Sequence, residues 1–117
     1  MSVENALAGV AVHDLETAAK WYEQLIGTAG KTPMPGLLEW SLPGGGSLQI
    51  FKDSKRAGSS SVTLSVTGLD DHIAQLSERG VKIGDRSASD KVSTAILLDP
   101  DGNQVVLAEQ HTDKIAS

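Results

Sequence analysis

The chain contains no cysteine among its 117 residues. Disulfide bonds, thiolate ligands for a metal and a cysteine nucleophile are therefore excluded. Aromatic residues are also few, since the sequence holds only two tryptophans, one tyrosine and one phenylalanine. Because so few rings are present, we expect Trp21 and Trp40 to pack in the core instead of stacking on a planar ligand.

Positive charge and long apolar runs are scarce as well. Ten Lys and Arg stand against fifteen Asp and Glu, a formal net charge of −5, so no basic patch is available to replace the counterions of a nucleic acid. No apolar run reaches the roughly 18 residues of a membrane helix, and no basic segment precedes an apolar one at the N-terminus. We expect a single cytoplasmic domain without nucleic-acid or membrane partners.

The strongest pattern that is present is a turn signal that occurs twice. Residues 99–103 read Asp-Pro-Asp-Gly-Asn between two apolar runs, and this composition is typical of a β-hairpin turn. A shift of 57 residues places Pro43 on Pro100 and Ile50 on Leu107. We therefore predict one unit that is repeated within a single domain. Its two copies span about residues 6–52 and 61–110, and residues 53–60 link them.

The first copy predicts a strand, a helix and a hairpin. The apolar run at 6–12 indicates a buried strand, and apolar residues at helical spacing predict an amphipathic helix over 15–26. Asp14 is placed to cap the start of this helix, and Gly27 is placed at its C-cap. The predicted hairpin strands are 37–42 and 47–52, after a connection that has room for one short strand.

The second copy repeats this order. Strict alternation over 61–66 is typical of a strand with one apolar and one polar face. Thr67 and Asp70 have the spacing of a capping box at the start of a second helix over 69–79. The remaining predicted segments are a short strand at 81–83, a polar loop at 84–91, and hairpin strands near 95–98 and 105–107.

Two segments resemble the vicinal oxygen chelate superfamily, which includes glyoxalase I, bleomycin and fosfomycin resistance proteins, extradiol dioxygenases and methylmalonyl-CoA epimerase. Residues 10–27 are similar to the family's V-x-D-L, F-Y and L-G series, and residues 98–107 to its D-P-D-G-N with a following I-E-L. The resemblance covers about residues 7–109. It implies an α+β fold of two tandem βαβββ modules that curve into an open eight-stranded cup.

The resemblance also identifies the positions where metal-using members carry their ligands, one on the first and one on the last strand of each module. Here these positions hold Leu7, Gln49, Ser61 and Val106. Leucine and valine have no donor atom, and a serine hydroxyl is a poor ligand for a divalent ion, whereas a metal site normally needs three or four protein ligands. We therefore predict no metal and no other cofactor.

The histidines and the acidic pair in the turn do not change this prediction. His13, His72 and His111 are the only histidines, and no two of them have the spacing of a metal site. Asp99 and Asp101 are explained by the turn in which they lie.

A small and mostly apolar surface is expected inside the cup. The resemblance and the strand alternation place these residues on it: Leu7, Gly9, Ala11, Gln49, Phe51, Ser61, Thr63, Ser65, Ile96 and Val106. Glu39 shares this face if the first hairpin closes at Pro43, because it then opposes Gln49. A slip of one residue would turn Glu39 to solvent instead. The predicted ligand contacts are Leu7, Glu39, Gln49, Phe51, Ser61, Thr63, Ile96 and Val106.

Three functions are compatible with this surface. The first is metal-free binding or sequestration of a small apolar or amphipathic molecule, as the resemblance to bleomycin resistance proteins implies. The second is a lyase or isomerase of the glyoxalase or epimerase kind, with Glu39 as the base and a metal held partly by a partner chain. The third is a non-catalytic assembly domain. In each case we expect a homodimer, because a single cup leaves apolar surface and sheet edges uncovered.

Overall fold

A computed structural model describes residues 1–111. The strands form two four-stranded sheets of the same order, β1-β4-β3-β2 and β5-β8-β7-β6. In each sheet the first strand runs parallel to the last, and the other pairs are antiparallel. This arrangement confirms the predicted α+β fold of two βαβββ modules. The elements are β1 (Leu7–Val12), α1 (Leu15–Ile26), β2 (Lys31–Met34), β3 (Leu37–Ser41), β4 (Ser47–Lys52), β5 (Ser61–Ser65), α2 (Leu69–Glu78), β6 (Arg86–Ala88), β7 (Val92–Leu98) and β8 (Gln104–Gln110).

The two sheets lie side by side, with β1 next to β5. These strands form no ladder with each other within residues 1–111, because β1 pairs with β4 alone and β5 pairs with β8 alone. A side chain makes one of the links between them, since the Ala11 N–H donates to Ser60 Oγ at 3.1 Å. The eight strands are thus two adjacent sheets, and β1 and β5 keep free edges where they face each other.

One face of each sheet is buried beneath a helix. Alternation in the strands is the reason, because every second side chain points to the same face. Val10 and Ile50 in the first sheet and Leu97 and Val105 in the second are fully buried. Most residues between them, such as Gln49, point to the opposite face and stay at least partly accessible, whereas Ala11 on that face is buried.

Helix α1 has the bounds that the sequence predicts, and its caps are local. The Asp14 carboxylate accepts hydrogen bonds from the Glu16 N–H at 3.2 Å and from the Thr17 hydroxyl at 2.7 Å. Gly27 ends the helix in the left-handed region at φ 96°, and its N–H donates to the Glu23 carbonyl. Both predicted caps are therefore confirmed.

Helix α2 begins differently from the prediction. The capping box of Thr67 and Asp70 is wrong, because Gly68 is the N-cap and provides no side chain. The carboxylate of Glu109, on the neighbouring β8, accepts the N–H groups of Gly68 at 2.9 Å and Leu69 at 3.1 Å. These two bonds lower the pKa of Glu109, and they connect α2 to the end of the second sheet.

We predict that the Glu109 cap makes stability depend on acid pH. A lowered folded-state pKa means that the carboxylate stabilises the fold above the unfolded-state value of about 4.3, and that this stabilisation is lost as pH falls through the folded-state value. Urea unfolding between neutral pH and pH 3 should therefore show a shallower loss of stability in Glu109→Gln than in the unaltered chain. Equal slopes for the two proteins would contradict the proposed cap. Glu16→Gln, which removes an acid on α1, is a suitable control.

The segment before β7 also departs from the prediction. Residues 81–83 form no strand, because the Val81 N–H bonds to the Leu76 carbonyl at 2.9 Å and closes the end of α2. Instead β6 lies within the predicted loop. Gly84 and Asp85 bond to the backbone of Ile96 and bring this polar segment alongside β7. The side chains of β6 are exposed, so no apolar alternation marks it in the sequence.

The two tryptophans differ in burial. Trp40 lies in the core as predicted, with 4% of its surface exposed and its indole N–H bonded to the Thr28 carbonyl at 2.9 Å. Trp21 is only partly buried and contacts Tyr22 edge-on, with 4.8 Å between ring centroids. No helix in the described residues is long and apolar enough to cross a membrane.

Candidate functional site

The open face of the first sheet carries a small polar cluster at its centre. Glu39 on β3 is the direct partner of Gln49 on β4, and Gln49 is the partner of Gly9 on β1. The Gln49 amide donates to the Glu39 carboxylate at 3.3 Å. Both side chains are half-buried. The register in which Glu39 shares the face of Gln49 is therefore the observed one.

An aromatic ring and a cation lie next to this cluster. Phe51 follows Gln49 on the same face, and Gly9 leaves room for its ring, since a Cβ on Gly9 would lie 3.2 Å from it. The Arg56 guanidinium covers the ring at 5.1 Å from the centroid and bonds to the Asp53 carboxylate at 2.8 Å. Gly9 thus leaves space beside the Phe51 ring, and Arg56 covers one side of it. Sequence reasoning did not identify Arg56, because nothing local to it indicates a contact with Phe51.

The open face of the second sheet is apolar, with hydroxyl groups along β5. Val106 on β8 pairs with Thr63 on one side and with Ile96 on the other. Val106 and Ile96 are half-buried, while Thr63 and Ser61 are exposed. Thr63, Val106 and Ile96 are therefore direct neighbours across three strands, and Ser61 lies two residues before Thr63 on the same strand.

Leu7 lies at the start of β1, away from the polar cluster of Glu39 and Gln49. Its side chain is 54% exposed. Together with Thr63 it lines a cleft of about 670 Å³ between the start of β1 and the end of β5. The other six predicted contacts do not line this cleft, so the convergence of Leu7, Gln49, Ser61 and Val106 on one point stays a prediction. Among residues 1–111, no three His, Asp or Glu side chains form a group that could hold a metal ion.

A buried polar network lies under the second hairpin turn. The Asp99 carboxylate accepts hydrogen bonds from the Tyr22 hydroxyl at 2.7 Å, from the Asn103 amide at 2.9 Å, and from the backbone N–H groups of Asp101 and Asn103. Burial, together with the bond to Asp99, raises the pKa of Tyr22 far above its ordinary value. The turn role predicted for Asp99 is confirmed, whereas its link to Tyr22 on α1 was not predicted.

The three histidines make separate contacts. His13 is exposed and bonds to the Ser54 hydroxyl at 2.9 Å. The half-buried His72 donates from Nε2 to the Leu25 carbonyl at 3.1 Å, and His111 contacts the Ser93 hydroxyl at 2.7 Å. Each ring thus has a hydrogen-bond partner of its own, and the three rings do not contact one another in these bonds.

Solved structures of similar fold match the chain over nearly its whole length. A glyoxalase/bleomycin resistance protein from Catenulispora acidiphila DSM 44928 is 34% identical, with 92% of this chain and 98% of that chain covered and a TM-score of 0.83. TnmS3, an antibiotic binding protein from Streptomyces sp. CB03234, is 27% identical over 94% and 98%, with a TM-score of 0.80. A glyoxalase/bleomycin resistance protein from the same Streptomyces is 29% identical over 89% and 98%, with a TM-score of 0.73. No protein-family model and no curated protein matches the sequence.

Proposed function

This chain belongs to the glyoxalase/bleomycin resistance protein family, and on that basis we propose that it binds a small amphipathic molecule non-covalently, without a metal. The observation that carries the proposal is the cluster of Glu39, Gln49 and Phe51, which presents a carboxylate, an amide and an aromatic ring on one accessible sheet face. The similarity to an antibiotic binding protein supports the same class of function.

The chemistry of the face favours a ligand with an apolar body and a few polar groups. Phe51, Ile96 and Val106 offer apolar surface that is not fully buried, and such surface binds ligands by the hydrophobic effect. Glu39 and Gln49 offer hydrogen-bonding groups that fix the orientation of a ligand. The ligand contacts that we propose on this face are Glu39, Gln49, Phe51, Ser61, Thr63, Ile96 and Val106, with Leu7 at the edge.

We also propose that two copies of the chain associate. Large apolar side chains remain exposed near the sheet faces, among them Met34 at 58% and Leu98 at 61%. A symmetric pair would cover such surface, and twofold pairing is the commonest oligomeric arrangement of soluble proteins. The mass in solution at micromolar concentration tests this proposal, and a monomeric mass would contradict it.

A melting-temperature screen with amphipathic antibiotics tests the binding proposal. A ligand at a hundred times its Kd should stabilise the folded chain by about 2.7 kcal/mol.

For a ligand found in this way, Phe51→Ala should weaken binding roughly thirtyfold, because a central aromatic contact typically contributes about 2 kcal/mol or more. Gln49→Ala should weaken it roughly threefold to tenfold, the value of one hydrogen bond.

The control is Ser77→Ala, which alters an exposed residue on α2 and should leave affinity unchanged. Binding that neither Phe51→Ala nor Gln49→Ala weakens would contradict the proposed site. Conversion of the ligand to a product, lost in Glu39→Gln, would overturn the non-catalytic proposal in favour of an enzyme with Glu39 as base.

A further inference from the structure

The two modules correspond to each other residue by residue along the boundary between β1 and β5. Leu7 pairs with Ser47 in the first sheet as Ser61 pairs with Gln104 in the second. Positions in β1 and β5 therefore correspond at an offset of 54 residues. Positions in the two hairpins correspond at an offset of 57. This correspondence allows the two ends of the boundary to be compared directly.

At one end, side chains of the second module close the boundary. The Asn103 side chain is fully buried, and its amide donates to the Ala11 carbonyl at 2.8 Å and accepts from the Ser60 N–H at 2.8 Å. The Ser60 hydroxyl in turn accepts from the Ala11 N–H at 3.1 Å. Both backbone groups that Ala11 presents at the free edge of β1 are thus satisfied.

At the other end, each of these partners is missing. The counterpart of Ala11 is Ser65, the counterpart of Ser60 is Ala6, and the counterpart of Asn103 is Gly46. Ala6 has no hydroxyl and Gly46 has no side chain. The hairpin turns are otherwise alike, since Leu42 and Gly46 make the same backbone bond as Asp99 and Asn103.

The consequence is a pair of unused backbone groups on Ser65. The residues on either side of β5 show which backbone groups face β8, because the Ser60 carbonyl and the Val66 N–H both bond to β8. Backbone groups of successive residues in a strand point to opposite sides, so the N–H and C=O of Ser65 point away from β8 and towards β1. Neither group has a hydrogen-bond partner in the described part of the chain. Asn5 does not supply one, because its carboxamide is bonded to the Ala6 N–H and the Gly45 carbonyl.

Ser65, Ala6 and Gly46 all line the cleft of about 670 Å³ between β1 and β5. This volume falls within the range of small-molecule sites. The remaining walls are mainly apolar and come from both modules and from the helix ends: Leu7, Leu25, Ile26, Leu42, Val66 and Leu107. The cleft is therefore a mainly apolar space that includes, at the edge of β5, the N–H and C=O of Ser65, both unpartnered within residues 1–111.

We propose that this cleft binds a small molecule that carries a carboxamide on an apolar body. The ligand's amide takes over the bonds that the Asn103 amide and the Ser60 hydroxyl make to Ala11 at the opposite end. Its N–H donates to the Ser65 carbonyl, its oxygen accepts from the Ser65 N–H, and its apolar body contacts Leu25 and Leu42. The inference does not rest on the proposed function, because Glu39, Gln49 and Phe51, which carry that function, do not line the cleft, although Leu7 and Thr63 border both sites.

The first test uses the unaltered full-length chain and two probes of nearly equal shape. Cyclohexanecarboxamide should shift the backbone amide resonance of Ser65 in an NMR titration. Cyclohexyl methyl ketone keeps the carbonyl and lacks the N–H donor, so it should bind roughly threefold to tenfold more weakly. Equal binding of the two probes, or shifts confined to Gln49 and Phe51, would overturn the proposal.

The second test rebuilds the missing contacts. Ala6→Ser with Gly46→Asn supplies the hydroxyl and the amide, and a side chain fits at Gly46 because a Cβ there lies 3.7 Å from the closest atom, the Ala6 carbonyl oxygen. The double variant should lose amide binding by at least tenfold and should protect the Ser65 N–H from hydrogen exchange. Ser77→Asn adds an amide at an exposed site on α2 and should change neither measurement.

Unchanged probe affinity in the double variant would overturn the proposal. If that variant does not fold, the comparison of amide with ketone on the unaltered chain decides the question. Loss of antibiotic binding in Phe51→Ala with retained binding of the carboxamide would separate this cleft from the sheet-face site.

Discussion

Asn103→Ala is expected to lower the free energy of unfolding by roughly 3 kcal/mol, because it leaves several buried polar groups without a partner. The Asn103 amide serves the Ala11 carbonyl, the Ser60 N–H and the Asp99 carboxylate, and none of its surface is exposed. Alanine fills part of the volume but makes none of these bonds. For a chain of this length the melting temperature should fall by about 10 °C.

Calorimetry or urea unfolding at neutral pH measures this loss. Asn5→Ala is the matched control, since it removes the same kind of side chain at an exposed position and should change stability by no more than about 0.5 kcal/mol. If the two variants proved equally stable, the Asn103 network would not hold the modules together.

Tyr22→Phe is expected to remove roughly 2 kcal/mol at neutral pH and to change how stability depends on alkaline pH. The first effect is the loss of a hydrogen bond to a carboxylate in a buried site. The second follows from the raised pKa of Tyr22 in the folded chain. A raised folded-state value means that the stabilisation is complete below the unfolded-state pKa of about 10 and is lost as pH rises beyond it.

Unfolding measured from pH 8 to pH 11 should therefore show a decline above about pH 10 in the unaltered chain that is reduced in Tyr22→Phe. Tyr22 is the only tyrosine, so phenolate absorbance reports on this residue alone and should appear together with unfolding. Ionisation of Tyr22 in the folded chain near its ordinary pKa would contradict the buried bond to Asp99.

The sequence alone predicted the features that depend on residues close together in the chain. Helix α1 has its predicted bounds because Asp14 and Gly27 cap it from within a few residues. For the first hairpin the sequence left two registers open, and the structure shows the one in which Glu39 lies opposite Gln49. The repeated order of strand, helix and hairpin was predictable because the turn signal occurs twice, and the resemblance to the vicinal oxygen chelate superfamily implied the α+β fold.

Tertiary structure decided the features that join distant parts of the chain. Glu109 caps α2 across 40 residues, and the Tyr22 hydroxyl reaches Asp99 across 77. Strand β6 forms only because β7 offers it an edge.

The same distinction applies to the candidate sites. One of the two registers that the sequence left open placed Glu39 opposite Gln49, whereas the cover of Arg56 on Phe51 and the cleft beside Ser65 required the packed chain. Local patterns determine the elements because torsion preferences and nearby hydrogen bonds act within a few residues. Contacts between the modules depend on how the elements pack. The pattern within one helix or strand does not indicate which distant residue will lie next to that element.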